Sequence, residues 1–159
     1  MKTIKHFSIV MIVGLLSFGF ISCDPQPNLS SQKTITLYVD TDNVNQSNLK
    51  ATCNFGQPSG VSNEEYVTEV NFDDKITWVG VSTSNTKVKV KIKKIEYVSD
   101  DEILTKRKNR NSWFSRVVKG KVKSADDDIK QGDTEKYLIE FKVKGIKERF
   151  IIDPKLRIL

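Results

Sequence analysis

The chain has 159 residues, with 26 Lys and Arg against 20 Asp and Glu, one His, two Cys and two Met. The His is His6, and the Met residues are Met1 and Met11, so from position 23 onward there is no imidazole and no thioether. That composition excludes Ser-His-Asp and Cys-His catalysis, His-ligated zinc and blue-copper centres, and no cofactor or metal is expected.

Met1–His6 carries Lys2 and Lys5 and no acidic residue, and Phe7–Ile21 is apolar apart from Ser8 and Ser17. A basic start, an apolar run and a small residue before a cut describe a secretory signal peptide. The run is shorter than the ~20 residues a spanning helix needs. An uncleaved anchor and an ordinary signal peptide cut elsewhere are the other readings.

Phe20-Ile21-Ser22-Cys23 resembles the lipobox of bacterial lipoproteins, with Phe20 standing where Leu is usual. The resemblance implies a signal peptide over 1–22 and lipid attachment at Cys23, whose thiol takes a diacylglyceryl group before the amino terminus takes a further, palmitate-like chain. Two or more chains, at roughly 0.8 kcal/mol per buried CH₂, anchor durably. The implied location is the cell envelope, held to a membrane through the N-terminal lipid. Loss of Lys2 and Lys5 leaves 24 basic against 20 acidic residues, a mild excess of +4.

Residues 23–32 form the lipidated Cys and a flexible tether, since Asp24–Gln32 holds two Pro and two Ser and nothing that builds a core. From Lys33 to Leu159 the apolar pattern has period two. Lys33–Val39 alternates Ile35, Leu37 and Val39 with polar positions; Asn48–Asn54 reads as a strand after a polar turn region; Gly56–Glu65 is a loop. Tyr66–Phe72 reads as a short strand and Lys75–Ser82 as one that turns Ile76 and Trp78 inward. Thr86–Val98 sets Val88, Val90 and Ile92 opposite Lys87, Lys89, Lys91 and Lys93, and its phase slips at Lys93-Lys94, which predicts a β-bulge or a break.

Ser99–Arg110 is charged, with one apolar pair, Ile103-Leu104, and reads as a helical turn or an exposed loop. Ser112–Lys123 is a further strand region with Trp113, Phe114, Val118 and Val122, followed by an acidic loop over Ala125–Asp133. Thr134–Lys144 turns Tyr137, Ile139, Phe141 and Val143 inward; Gly145 makes a turn into Lys147–Ile152; Asp153-Pro154 breaks the ladder before a last strand at Lys155–Leu159. The expected fold is all-β, an antiparallel β-sandwich of about seven or eight strands over 33–159.

Asp133-Thr134-Glu135-Lys136-Tyr137-Leu138-Ile139 resembles the Asp-x-(Ala/Gly)-x-Tyr-x-Cys stretch of immunoglobulin-type domains, with Glu135 at the small position and Ile139 in place of Cys. The resemblance implies an Ig-like sandwich in which Tyr137 is a corner tyrosine bonding back to the chain and Trp78 the buried tryptophan. The ending Phe150–Ile158 is similar to the C-terminal strand pair of small secreted bacterial β domains, which implies a fold and no activity.

Arg and Lys concentrate in Lys106–Lys123, around Trp113 and Phe114. Lys106, Arg107, Lys108, Arg110, Trp113 and Arg116 are candidate anion-binding residues, with cations for phosphate, sulfate or carboxylate and aromatics for stacking. The default expectation is a solvated loop and strand face whose aromatics belong to the core. The lysine row of Thr86–Val98 is expected to deter edge pairing. Cys53 is expected to be a buried structural thiol. Asp40-Thr41-Asp42-Asn43-Val44-Asn45 begins like a calcium loop but lacks the Gly at its sixth position and the closing Glu, which excludes an EF-hand.

The leading functional expectation is a non-catalytic envelope lipoprotein, not an enzyme: a lipid-tethered β module that binds an envelope protein or is structural. The alternative is a binder of anionic glycan or lipid headgroups through 106–123, and a carboxylate-dependent hydrolase stands third. No nucleic-acid partner is expected.

Overall fold

The computed structural model describes residues 30–98, 102–125 and 127–159. Among these residues, ten strands and one helical turn run in the order β1 (Gln32–Val39), α1 (Leu49–Thr52), β2 (Cys53–Asn54), β3 (Val67–Val70), β4 (Lys75–Ser82), β5 (Val90–Tyr97), β6 (Lys108–Arg110), β7 (Val118–Lys121), β8 (Thr134–Val143), β9 (Phe150–Ile152) and β10 (Lys155–Ile158). They form two facing sheets, one ordered β2-β1-β4-β7 and the other β3-β10-β8-β5-β6, with β9 also paired to β8.

The all-β, sandwich-like expectation holds, whereas a purely antiparallel arrangement does not. β1 and β4 run parallel through eight residue pairs, from Gln32↔Lys75 to Val39↔Ser82, and β3 lies parallel to β10. A parallel pair needs a long crossover. Here the connection between β1 and β4 supplies α1 and β2, gives β3 to the other sheet, and returns. Asn48–Asn54 is correspondingly not one strand: it winds a helical turn over Leu49–Thr52 and extends only at Cys53-Asn54.

Strict alternation decides the interior. On β8, Glu135, Tyr137, Ile139, Phe141 and Val143 are all buried, and on β5 they meet Val90, Ile92, Ile95 and Tyr97. The expected bulge is present, with the register shifting between Ile92 and Lys94. It restores the apolar phase, because without the extra residue Ile95 and Tyr97 would point to solvent.

One edge of β8 is covered in two pieces, β10 against Thr134–Lys136 and β9 against Ile139–Phe141, separated by the break at Asp153-Pro154. Gly145, at φ +95°, makes the turn between β8 and β9 in a conformation that favours glycine. Between the sheets, Trp78 and Tyr137 meet edge to face at 5.9 Å, and Phe141 lies 5.3 Å from Phe150. Asp74 is wholly buried, yet its carboxylate accepts bonds from Ser31 N and Oγ and from Asn71 N, which pins the entry of β1 to the turn before β4.

The described part of the Ser99–Arg110 stretch, from Glu102 on, also differs from expectation. Ile103 and Leu104 are core residues at 0% and 1% exposure, and Leu104 bridges to Val122, so this segment extends the edge of the first sheet before β6 joins the second.

Candidate anion-binding site

The outer face of the second sheet concentrates positive charge through its register. Lys94 stands between Arg110 of β6 and Glu140 of β8 across three adjacent strands. The bulge turns Lys93 and Lys94, consecutive residues, half-buried onto this region beside Lys91. Arg149, just before β9, closes one side, and Trp113, in the turn between β6 and β7, closes the other. The result is an open cleft of about 660 Å³ lined by Lys91, Lys93, Lys94, Arg110, Asn111, Trp113, Glu140 and Arg149.

Five cations thus face the single carboxylate of Glu140. Part of that charge is already paired. Lys94 Nζ lies 2.7 Å from Glu96 and 3.6 Å from Glu140, Lys108 Nζ lies 2.8 Å from the other oxygen of Glu96, and Arg149 Nη1 donates to Glu140 at 2.7 Å. These bonds hold Glu96 well below the usual carboxylate range, at about 2, with the Lys108 bond the largest cause. They also raise Lys94, chiefly through its bond to Glu96.

Lys93 and Arg110 make no ion pair among the described residues. The Lys93 ammonium is held below its ordinary value, first by desolvation and then by repulsion from Lys91, Arg149 and Lys142. A crowded ammonium of this kind gains from an incoming anion, which relieves the repulsion without asking it to leave a partner.

Of the six residues singled out in the sequence, only Arg110 and Trp113 share this cleft. Lys106 lies in a separate groove with Thr105, Asn109 and Lys119. Arg107 stacks its guanidinium 5.8 Å above the Tyr97 ring. Lys108 is committed to Glu96, and Arg116 borders another hollow with Val88 and Val117. The segment therefore does not act as one basic strip.

The expectation that its aromatics join the core is overturned, because Trp113 and Phe114 are 88% and 94% exposed. Lys93 and Arg149 were not singled out as a site. The slip at Lys93-Lys94 carried the signal for the first, while Arg149 arrives only through the pairing of β8 with β9.

Two other groups have chemistry, and both are sealed. Cys53 is buried, and desolvation pushes its thiol up to about 11. Glu135, at 0% exposure, accepts the N–H groups of Ile103 at 2.6 Å and Leu104 at 3.0 Å on one oxygen, and its other oxygen has no partner among the described residues. Burial raises it to about 7 against the pull of those two bonds. Its parity with Tyr137 marks it as inward-facing in the sequence. No group of three or more His, Cys, Asp or Glu placed to hold a metal occurs among the described residues. Cys23 and the lipobox lie outside the described residues.

No family model matches the chain, and no curated protein matches it. Among solved structures, the chain is similar to the inclusion body protein PixA of Burkholderia cenocepacia J2315, at 14% identity and a TM-score of 0.53, over 83% of this chain and 98% of that one. At that identity the likeness is one of fold.

Proposed function

We propose that this chain is a non-catalytic envelope lipoprotein, acylated at Cys23, whose β module binds an anionic envelope component through the cleft on its second sheet. The observation that carries the binding reading is the placement of Lys93 and Arg110, which make no ion pair among the described residues, beside exposed Trp113 in one hollow. Acidic glycan and lipid headgroups both offer the phosphate, sulfate or carboxylate such a hollow takes. Anchoring at Cys23 rests on the lipobox-like sequence and on the short tether before β1, which at full extension reaches at most roughly 30 Å.

The immunoglobulin-like reading of the sandwich draws support from Trp78 and Tyr137, one from each sheet, meeting at its centre. The Tyr137 hydroxyl accepts from Trp78 Nε1, and not from the chain as a corner tyrosine would arrange it.

Two experiments test the proposal. Mass spectrometry of the N-terminal peptide should find an acylated Cys23, and Cys23→Ser should release the protein from membranes. Retention on a heparin column should fall with salt and fall further in Lys93→Glu/Arg110→Glu. Retention unchanged by that pair would remove the binding reading.

A further inference from the structure

The link between β6 and β7, residues 111–117, joins the edge of one sheet to the edge of the other and contains a braced turn with aromatics at its corners. Ser115 N donates to Ser112 O at 3.1 Å, which closes a turn whose two central residues are Trp113 and Phe114. Such corners ordinarily carry Gly, Asn, Asp, Pro or Ser. Asn111 Nδ2 donates to Ser115 O at 2.9 Å, Ser115 Oγ and Val117 N lie 3.1 Å apart, and Lys91 Nζ donates to Trp113 O at 3.1 Å. The turn is therefore held in shape while its two rings stand in water. A monomer gains nothing by bracing two adjacent aromatics outward, since either ring would be more stable covered.

We propose that the Trp113-Phe114 turn is a docking tip that enters the interface of an anionic bilayer while Lys93, Arg110 and their neighbours meet the headgroups. This deepens the anion-binding reading and rests on it. Phe114 separates a bilayer from a glycan. A sugar stacks on Trp113 inside the cleft and leaves Phe114, which does not line it, in water. A bilayer covers both rings at once. The indole suits the headgroup level, where its N–H stays hydrated, and the phenyl suits the acyl boundary just beneath. Cations at the base of the tip complement a negative surface within a Debye length.

The chain's two tryptophans make the test direct, because Trp78 is 1% exposed and Trp113 is 88% exposed. With the full chain on vesicles rich in phosphatidylglycerol, the Trp113 emission should shift to the blue and be quenched by lipids brominated near the headgroup. Trp113→Phe should remove that lipid-sensitive component and leave the emission of Trp78. Phe114→Ser, and separately Lys93→Glu/Arg110→Glu, should weaken the quenching about tenfold, and neutral phosphatidylcholine vesicles should do the same. A Trp113 emission identical in buffer and on anionic vesicles overturns the tip. If heparin retention then persists, the cleft stands as a site for soluble polyanions, and if it too is absent, both readings fall.

Discussion

Trp78 of β4 donates its indole N–H to the hydroxyl of Tyr137 of β8 at 3.3 Å, and so the two sheets are joined at their centre by one polar bond inside an apolar layer. Each group exists in that layer only because the other satisfies it. Removing one partner strands the other, which costs about 1–3 kcal/mol, whereas removing both strands neither. Tyr137→Phe should therefore lower stability by about 2 kcal/mol in urea unfolding, and Trp78→Phe by more, since it also loses volume. The double variant should lose clearly less than the two single losses added, the mark of coupling between the sites.

Glu135 should make the protein less stable as pH rises. Its native value, about 7, lies above the ordinary 4.5, so the folded state binds the proton more tightly than the unfolded chain does. The folded state is unpenalised below pH 4.5, loses stability as pH climbs from 4.5 to about 7, and levels off above that. The span corresponds to roughly 3 kcal/mol. Thermal unfolding across that window should show a falling melting temperature in the parent. Glu135→Gln, which keeps a carbonyl for the N–H groups of Ile103 and Leu104, should show a flatter profile.

Glu96 works in the opposite sense. Its bonds to Lys108 and Lys94 lower it from 4.5 to about 2, so its contribution is present above pH 4.5 and is lost as pH falls through about 2. Glu96→Gln should cost about 1–2 kcal/mol near neutrality, less at high salt, and should remove that part of the acid sensitivity. Urea midpoints for both Gln variants against pH should accordingly show slopes altered on opposite sides of pH 4.5.

Much of this architecture was legible in the residues because alternation records which face is wet. Ile35, Leu37 and Val39, then Ile76 and Trp78, then Tyr137, Ile139, Phe141 and Val143 all lie inside as their parity requires, and the slip at Lys93-Lys94 is a real bulge. Parity does not record which strand lies beside which. The parallel pairing of β1 with β4 is set by partners far apart in the chain, and the arrival of Arg149 beside Glu140 by the register of the β8–β9 hairpin. Trp113 and Phe114 failed a different rule. Aromatics are interior residues on average, but adjacent ones in a turn cannot both follow a strand's alternation, and these point outward.

Cys53 should resist modification in the folded protein. It is buried and its thiol is pushed up to about 11, so at neutral pH it is neither accessible nor ionised, and the thiolate is the reactive form. Iodoacetamide followed by peptide mass spectrometry should leave Cys53 unlabelled in buffer and label it fully in denaturant. Substantial native labelling would show that the region of α1 and β2 opens.

Gly120 offers a case in which two opposing effects can be separated. A Cβ there would lie 2.9 Å from Cζ3 and 3.1 Å from Cη2 of Trp78. The ring has little room to yield, being 1% exposed, bonded to Tyr137 and packed edge to face against it. Gly120→Ala should gain about 0.4–1 kcal/mol from a less flexible unfolded chain, and lose about 1–3 kcal/mol to the overpacked contact. The contact wins while the indole is there. In a Trp78→Phe background the six-membered part of the indole that meets the new methyl is gone, so the same substitution should become neutral or stabilising. Urea unfolding of the four proteins checks this, and an equal loss in both backgrounds would mean that Gly120 is required by its backbone and not by the ring beside it.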